Sequence, residues 1–181
     1  LASPAGPFGY QYPGSRPSSL VARLSLPNGA YITNTFDSMA RLLSTTLKTS
    51  GGTVRNSHSY GYNVGNQRTA LTNTVGDYRN YTYDGISQLK TANGFESNGT
   101  ARLNEKLGYT YDSAGNLNWR TNNALVQAFN VNSLNELTTT TNSGTLTVAG
   151  TTTMPATNVT VNGLTAARYA DNTFAKDGFT V

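Results

Sequence analysis

An all-β chain of stacked antiparallel hairpins is the fold class this sequence predicts, and three observations predict it. A short motif, aromatic-x-aromatic-Asp followed by turn residues, recurs along the chain. Thr, Asn, Ser, Gly and Tyr take the place of both charged residues, which make up 12%, and hydrophobic ones, at 36%, a mixture that suits half-exposed strands and turns. Where apolar residues are patterned, they alternate with polar ones at the strand period.

The motif is most complete at Tyr109-Thr110-Tyr111-Asp112-Ser113-Ala114-Gly115-Asn116-Leu117-Asn118-Trp119. Successive strand side chains point to opposite faces, so Tyr109 and Tyr111 share one face, and Leu117 and Trp119 repeat that spacing after the break. Asp112 suits the turn because its carboxylate can accept from a backbone N–H two residues on. Gly115 can take positive φ at no steric cost. The stretch therefore reads as one hairpin with an aromatic face. A lone hairpin is marginal in water and needs neighbours.

The neighbours are copies of itself. Phe36-Asp37, Tyr81-Thr82-Tyr83-Asp84 and Tyr109-Thr110-Tyr111-Asp112 carry the motif, Tyr60-Gly61-Tyr62-Asn63 and Phe129-Asn130-Val131-Asn132 are weaker copies, and Tyr10 with Tyr12 is a degenerate first one. The anchors at 12, 36, 62, 83, 111 and 131 are 24, 26, 21, 28 and 20 residues apart, in the range of a repeat architecture. Variable spacing around a fixed motif is what hairpins with exposed, length-tolerant turns produce.

The pattern Tyr-x-Tyr-Asp-x-x-Gly-Asn-Leu at Tyr109 to Leu117 resembles the YD repeat of Rhs proteins, teneurins and bacterial insecticidal toxin complexes, over roughly residues 8 to 141. Ala40 and Ser87 stand where that family has Gly, Asn66 and Asn135 stand there as substitutes that tolerate the left-handed conformation, and Arg68 replaces the usual Leu. The resemblance implies a long β-sheet spiralling into a hollow shell, which in several members encloses a toxic C-terminal segment. Six copies would form an arc of such a shell.

In chain order, residues 1–19 form a Pro/Gly/Ser-rich lead-in with the degenerate first repeat, and hold four of the six prolines. The repeat region is expected over 20–141. Leu20 to Leu26 and Ala30 to Thr33 flank the turn Pro27-Asn28-Gly29, and a strand follows from Thr35. Met39 to Lys48 could satisfy a helical period, but its threonines and the Gly51-Gly52 stop favour a strand. Asn93 to Arg102 reads as a loop tip. After Leu137 the character changes: Thr145 to Gly150, Asn158 to Gly163 and Tyr169 to Phe174 read as strands. Val148 to Gly163, with the Tyr169 to Phe174 strand, resembles a bacterial Ig-like β-sandwich module, incomplete over 142–181 because such a module needs about seven strands. The chain begins at Leu1, and with its unfinished module is expected to be a piece of a longer parent chain.

No catalytic, cofactor-binding or metal-ligating residue is expected. His58 is the single histidine, and a polar loop position beside Tyr60 accounts for it better than a metal site or triad. Asp84 and Asp112 invite a calcium reading, but Asp112 to Asn116 lacks the alternating ligands and terminal Glu of an EF-hand loop, so turn-capping is preferred. The absence of cysteine excludes a disulfide framework and thiolate metal sites. Asn80-Tyr81-Thr82, Asn98-Gly99-Thr100 and Asn158-Val159-Thr160 fit the glycosylation pattern, which a chain this rich in Asn and Thr produces by chance. The net charge of +4 comes from scattered basic residues, among them Arg41, Arg68, Arg79 and Arg102, without the cluster that would track nucleic acid. No apolar run is long enough to insert in a membrane. The repeat-defining structural residues are Phe36, Asp37, Tyr60, Tyr62, Tyr81, Tyr83, Asp84, Tyr109, Tyr111, Asp112, Gly115, Leu117 and Trp119. The resulting expectation is a non-enzymatic structural segment of an extracellular or cell-surface bacterial protein. The alternative is an adhesion module whose exposed tyrosines stack on surface glycans.

Overall fold

The computed structural model describes residues 2–3, 6–14 and 19–181, so the lead-in expected over 1–19 lies partly outside the described residues. Among the described residues the regular structure is all strand. The chain divides into two compact units, Leu1–Thr74 and Val75–Val181.

In the first unit β1 (Ala2–Ser3) pairs with β2 (Gly6–Pro7). A meander follows through β3 (Gly9–Gln11), β4 (Arg23–Ser25), β5 (Tyr31–Phe36), β6 (Leu42–Lys48), β7 (Val54–Tyr62) and β8 (Arg68–Asn73), each strand antiparallel to the next. The second unit continues the pattern in its own meander: β9 (Tyr78–Tyr83), β10 (Leu89–Phe95), β11 (Ala101–Tyr111), β12 (Leu117–Asn122), β13 (Leu125–Val131) and β14 (Leu137–Thr151). Then the meander stops. β15 (Thr160–Val161) and β16 (Leu164–Thr165) form a small separate hairpin, while β18 (Thr173–Thr180) pairs with the far half of β14 and, on its other edge, with β17 (Ala167–Arg168). These are stacked antiparallel hairpins, the architecture the repeat predicts.

Directly opposed residues share a face. In the first unit one face carries hydroxyls, in rows such as Thr35–Ser44–Ser59–Thr72, and the other carries Ile32–Leu47 and Tyr60–Leu71. The second unit repeats the division: Thr82–Thr91–Gly108–Thr121 on one face, Tyr81–Ala92–Leu107 on the other. Trp119 is opposed to Thr110, not to a motif tyrosine, because a bulge shifts the register between Thr110 and Tyr111; it lies 45% exposed. Among the described residues the buried hydrophobic side chains are four alanines, Ala92, Ala128, Ala166 and Ala175, and no large side chain is fully buried.

Three local expectations need correction. Asn93 to Arg102 is not a long loop: β10 runs through Phe95, β11 starts at Ala101, and the chain turns tightly at Glu96–Thr100, with Gly99 at φ 86°. Gly94 lies within the strand because Glu105 crosses it closely; a Cβ there would come within 2.7 Å of the Glu105 Cβ. Asn158 to Gly163 is not one strand, since Asn162 and Gly163, at φ 51° and 77°, reverse the chain between β15 and β16. Tyr169 to Asn172 is likewise a turn, with Asn172 at φ 65°, and the strand begins only at Thr173.

Candidate functional site

The motif residues build one device several times over. Asp112 Oδ1 accepts from the N–H groups of Ala114 and Asn116, each at 2.9 Å. Asp37 does the same with Met39 and Arg41, Asp84 with Ile86 and Gln88, and Asn132 with Leu134 and Glu136. In each turn the residue three after the acceptor is left-handed: Ala40 at φ 63°, Ser87 at 73°, Gly115 at 86° and Asn135 at 61°. That is a type I turn closed by a bulge residue, whose twist matches antiparallel strands. The caps lower the pKa of two of the carboxylates. Asp112 is held below its ordinary value chiefly by the Asn116 side chain, then by backbone donors; Asp37 is held below by the Arg41 N–H, with burial working the other way.

The motif tyrosines tie strands together behind these turns. The Tyr62 hydroxyl donates to the Leu42 carbonyl at 3.0 Å, and the Tyr111 hydroxyl to the Leu89 carbonyl at 3.1 Å. Burial raises the Tyr111 hydroxyl above its usual range. Tyr60 and Tyr62 lie on β7, Tyr81 and Tyr83 on β9, and Tyr109 on β11. Phe36 ends β5 opposite Leu42, and Leu117 opens β12 opposite Tyr111. Guanidinium groups cover several tyrosine rings: Arg23 stands 3.8 Å from the centre of Tyr31, Arg68 4.3 Å from Tyr60 and Arg41 4.9 Å from Tyr62. His58 is not a loop residue as expected: it lies within β7, opposite Asn73 of β8, and its Nδ1 sits 2.9 Å from Asn73 Oδ1.

Sequence reasoning missed a second constellation, centred on Arg102. This guanidinium is 3% exposed and meets Asp77 at 3.0 Å, Asp171 at 2.8 Å, Glu105 at 3.3 Å and Glu96 at 3.4 Å. Arg79 also reaches Glu105, at 2.9 Å. Burial alone would lower the Arg102 pKa, but the hydrogen bond to Asp171 and the charges of Glu105, Asp171 and Glu96 outweigh it and raise it. For Asp171, burial pushes upward and is outweighed by the bonds from Thr173 and Arg102, leaving it lowered. Tyr169 lies under the guanidinium at 4.6 Å, and its hydroxyl, raised by burial, accepts from the Leu103 N–H at 2.7 Å. No sequence signal marks the cluster, because its carboxylates are scattered from position 77 to 171. Among the described residues no group of three or more His, Asp or Glu side chains is placed to hold a metal ion.

No family model and no curated protein matches the chain. Solved structures do. Over 94% of its length the chain superposes on the crystal structure of TcdB2-TccC3-Cdc42 with a TM-score of 0.64 and 16% identity, and on that of TcdB2-TccC3 with a TM-score of 0.63 and 16% identity. It spans 8% of the length of each of those chains. TcdB2-TccC3 is an Rhs/YD-repeat shell assembly of a toxin complex. Identity this low establishes fold, and the fold of this chain is that of the Rhs-type YD-repeat sheet.

Proposed function

We propose that the chain is a structural, non-enzymatic wall segment of a longer YD-repeat protein. The observation that carries this reading is a sheet with an apolar, tyrosine-bearing face and no large apolar side chain buried among the described residues. Such a sheet gains its stability from ladder hydrogen bonds, turn caps and lateral continuation, so it serves best as part of something larger. The change of architecture after β14 supports reading 142–181 as a separate module, incompletely Ig-like, appended to the repeats of 20–141, although β14 itself runs from Leu137 to Thr151. On this reading the parent protein is secreted or held at the cell surface, and its partner is the rest of its own chain.

Light scattering of residues 1–181 across a concentration series, with hydrogen exchange on the same sample, tests the proposal. Self-association is expected, with amides after Thr141 exchanging faster than those from Tyr81 to Leu117. A stable monomer with equal protection in both regions would show a complete domain and overturn the reading. The glycan-binding alternative requires free aromatic faces, whereas arginines stand over Tyr31, Tyr60 and Tyr62. A positive glycan array would favour it nonetheless.

A further inference from the structure

The Arg102 cluster lies where two distant parts of the second unit meet. Between Thr152 and Asn172 the chain leaves the sheet, forms the β15–β16 hairpin and β17, and returns at the Tyr169–Thr173 turn. Its two ends are joined by the bond from the Thr152 N–H to the Asn172 carbonyl, at 2.9 Å. The returning turn is fastened to the β10–β11 hairpin by side-chain contacts. Arg102 bonds Asp171 at 2.8 Å and also reaches the Thr173 hydroxyl, the Leu103 N–H donates to the Tyr169 hydroxyl, and the Ala170 N–H donates to Glu96 Oε2 at 3.1 Å. These contacts, together with the Arg102 guanidinium over the Tyr169 ring, pin the turn to that hairpin, and Arg102 lies at their centre.

What the pinned segment covers is the outer edge of β18. That edge has two halves. Lys176, Asp177 and Gly178, the last at φ 92°, give one half charge and a bulge, features that discourage a further strand from pairing. Thr173, Phe174 and Ala175 have neither. Their cover is β17, whose Ala167 and Arg168 oppose Ala175 and Phe174, and β17 belongs to the pinned segment.

We propose that residues 152–172 are a strap, clasped by Arg102, that guards the uncharged half of the β18 edge and, when unclasped, frees that edge to pair with β18 of a second copy. The clasp suits a reversible guard. Its contacts are directional and few, and losing one member leaves a desolvated charge that favours opening over a distorted closed state. The strap adds two residues of ladder to the edge, so opening it leaves the β14–β18 pairing intact.

The test uses the full chain and the variants Arg102→Met, Asp171→Asn and Tyr169→Phe, read by amide hydrogen exchange and by light scattering against concentration. In Arg102→Met, amides of residues 152–172 should lose protection by about tenfold or more while those of β12 and β13 hold, as expected for a local opening. The concentration at which the protein associates should fall by about tenfold relative to the unaltered chain, as a newly exposed edge requires. Uniform loss of protection across the second unit, or an open strap with unchanged association, overturns the proposal. Should Arg102→Met fail to fold, Asp171→Asn and Tyr169→Phe decide the matter, since each removes a single strap contact. Unchanged protection of residues 152–172 in both would overturn it.

Discussion

The Asp112 turn and the Arg102 clasp both satisfy a carboxylate with N–H donors, but they do so over very different stretches of chain. Asp112 finds its donors two and four residues on. Arg102 finds Asp77 at a separation of 25 residues and Asp171 at 69. The turn is open to water, so water can replace a lost partner at little cost. The clasp is desolvated, and there a lost partner leaves a buried charge. The comparison teaches that the repeated part of this sheet is held by many small, replaceable contacts, and its non-repeated end by one concentrated knot.

Removing the knot should give the largest effect. Arg102→Met leaves Asp77, Glu96, Glu105 and Asp171 without their shared cation and is expected to cost about 3–5 kcal/mol. Arg102→Lys should not restore it, because the planar fork meets several carboxylates at once and an ammonium cannot. Arg41→Met removes a half-buried cation that has one carboxylate partner, Asp37, and should cost less. Denaturant melts of the three variants check the ranking. Equal midpoints for Arg102→Met and Arg41→Met would erase the distinction between knot and turn.

A turn variant comes next. Gly115→Ala forces a side chain into φ 86° and should cost about 1 kcal/mol or more. Asp112→Ala should lower the midpoint in the same direction but by less, since water can solvate the freed Ala114 and Asn116 donors. Thermal melts in which neither variant moves would make the repeated cap dispensable.

Acid should weaken turn and knot alike. Asp37, Asp112 and Asp171 are all held below the ordinary value of 3.8 in the folded chain. A depressed folded value means the unfolded chain binds protons first as pH falls. The stabilisation is therefore complete above roughly pH 4 and is lost as pH drops through the folded values. Asp171→Asn should flatten the fall of stability below pH 4 and, through the strap, alter exchange over residues 152–172. Asp112→Asn should flatten it without touching the strap. An identical acid profile for both variants would remove that separation.

The same contrast explains what was legible in the sequence. The hairpins could be read because each is local: Tyr-x-Tyr alternation, an Asp, and a left-handed position three residues later all fall within a dozen residues. Arg102 could not, because nothing in its neighbourhood shows that Asp171 will return to it, and it looked like one more scattered basic residue. Gly94 misled for a related reason. Asn93-Gly94 carries turn chemistry, but this glycine serves the close crossing of Glu105, a long-range fact. The bulge that puts Trp119 opposite Thr110 was legible in principle, since a left-handed Gly115 implies a register shift.

The smallest expected effect is a gain, and it probes the turns alone. Ala40 and Ser87 occupy the left-handed position at φ 63° and 73°, where the Asp112 turn has glycine. An L-residue there is strained by about 1–2 kcal/mol relative to its preferred conformations. Glycine relieves the strain but enlarges the freedom of the unfolded chain, which returns about 0.4–1 kcal/mol. The balance for Ala40→Gly and Ser87→Gly is a stabilisation of about half a kcal/mol each, or a rise in midpoint of roughly 1–2 °C for a chain of this length. Both side chains are exposed, so no packing is lost to offset the gain. The two sites lie in separate turns and share no contact, so the double variant should show the sum. A fall in midpoint for either variant would mean that the cap accommodates a side chain without strain. The left-handed position would then be set by the Asp37 and Asp84 bonds and not by the residue that occupies it.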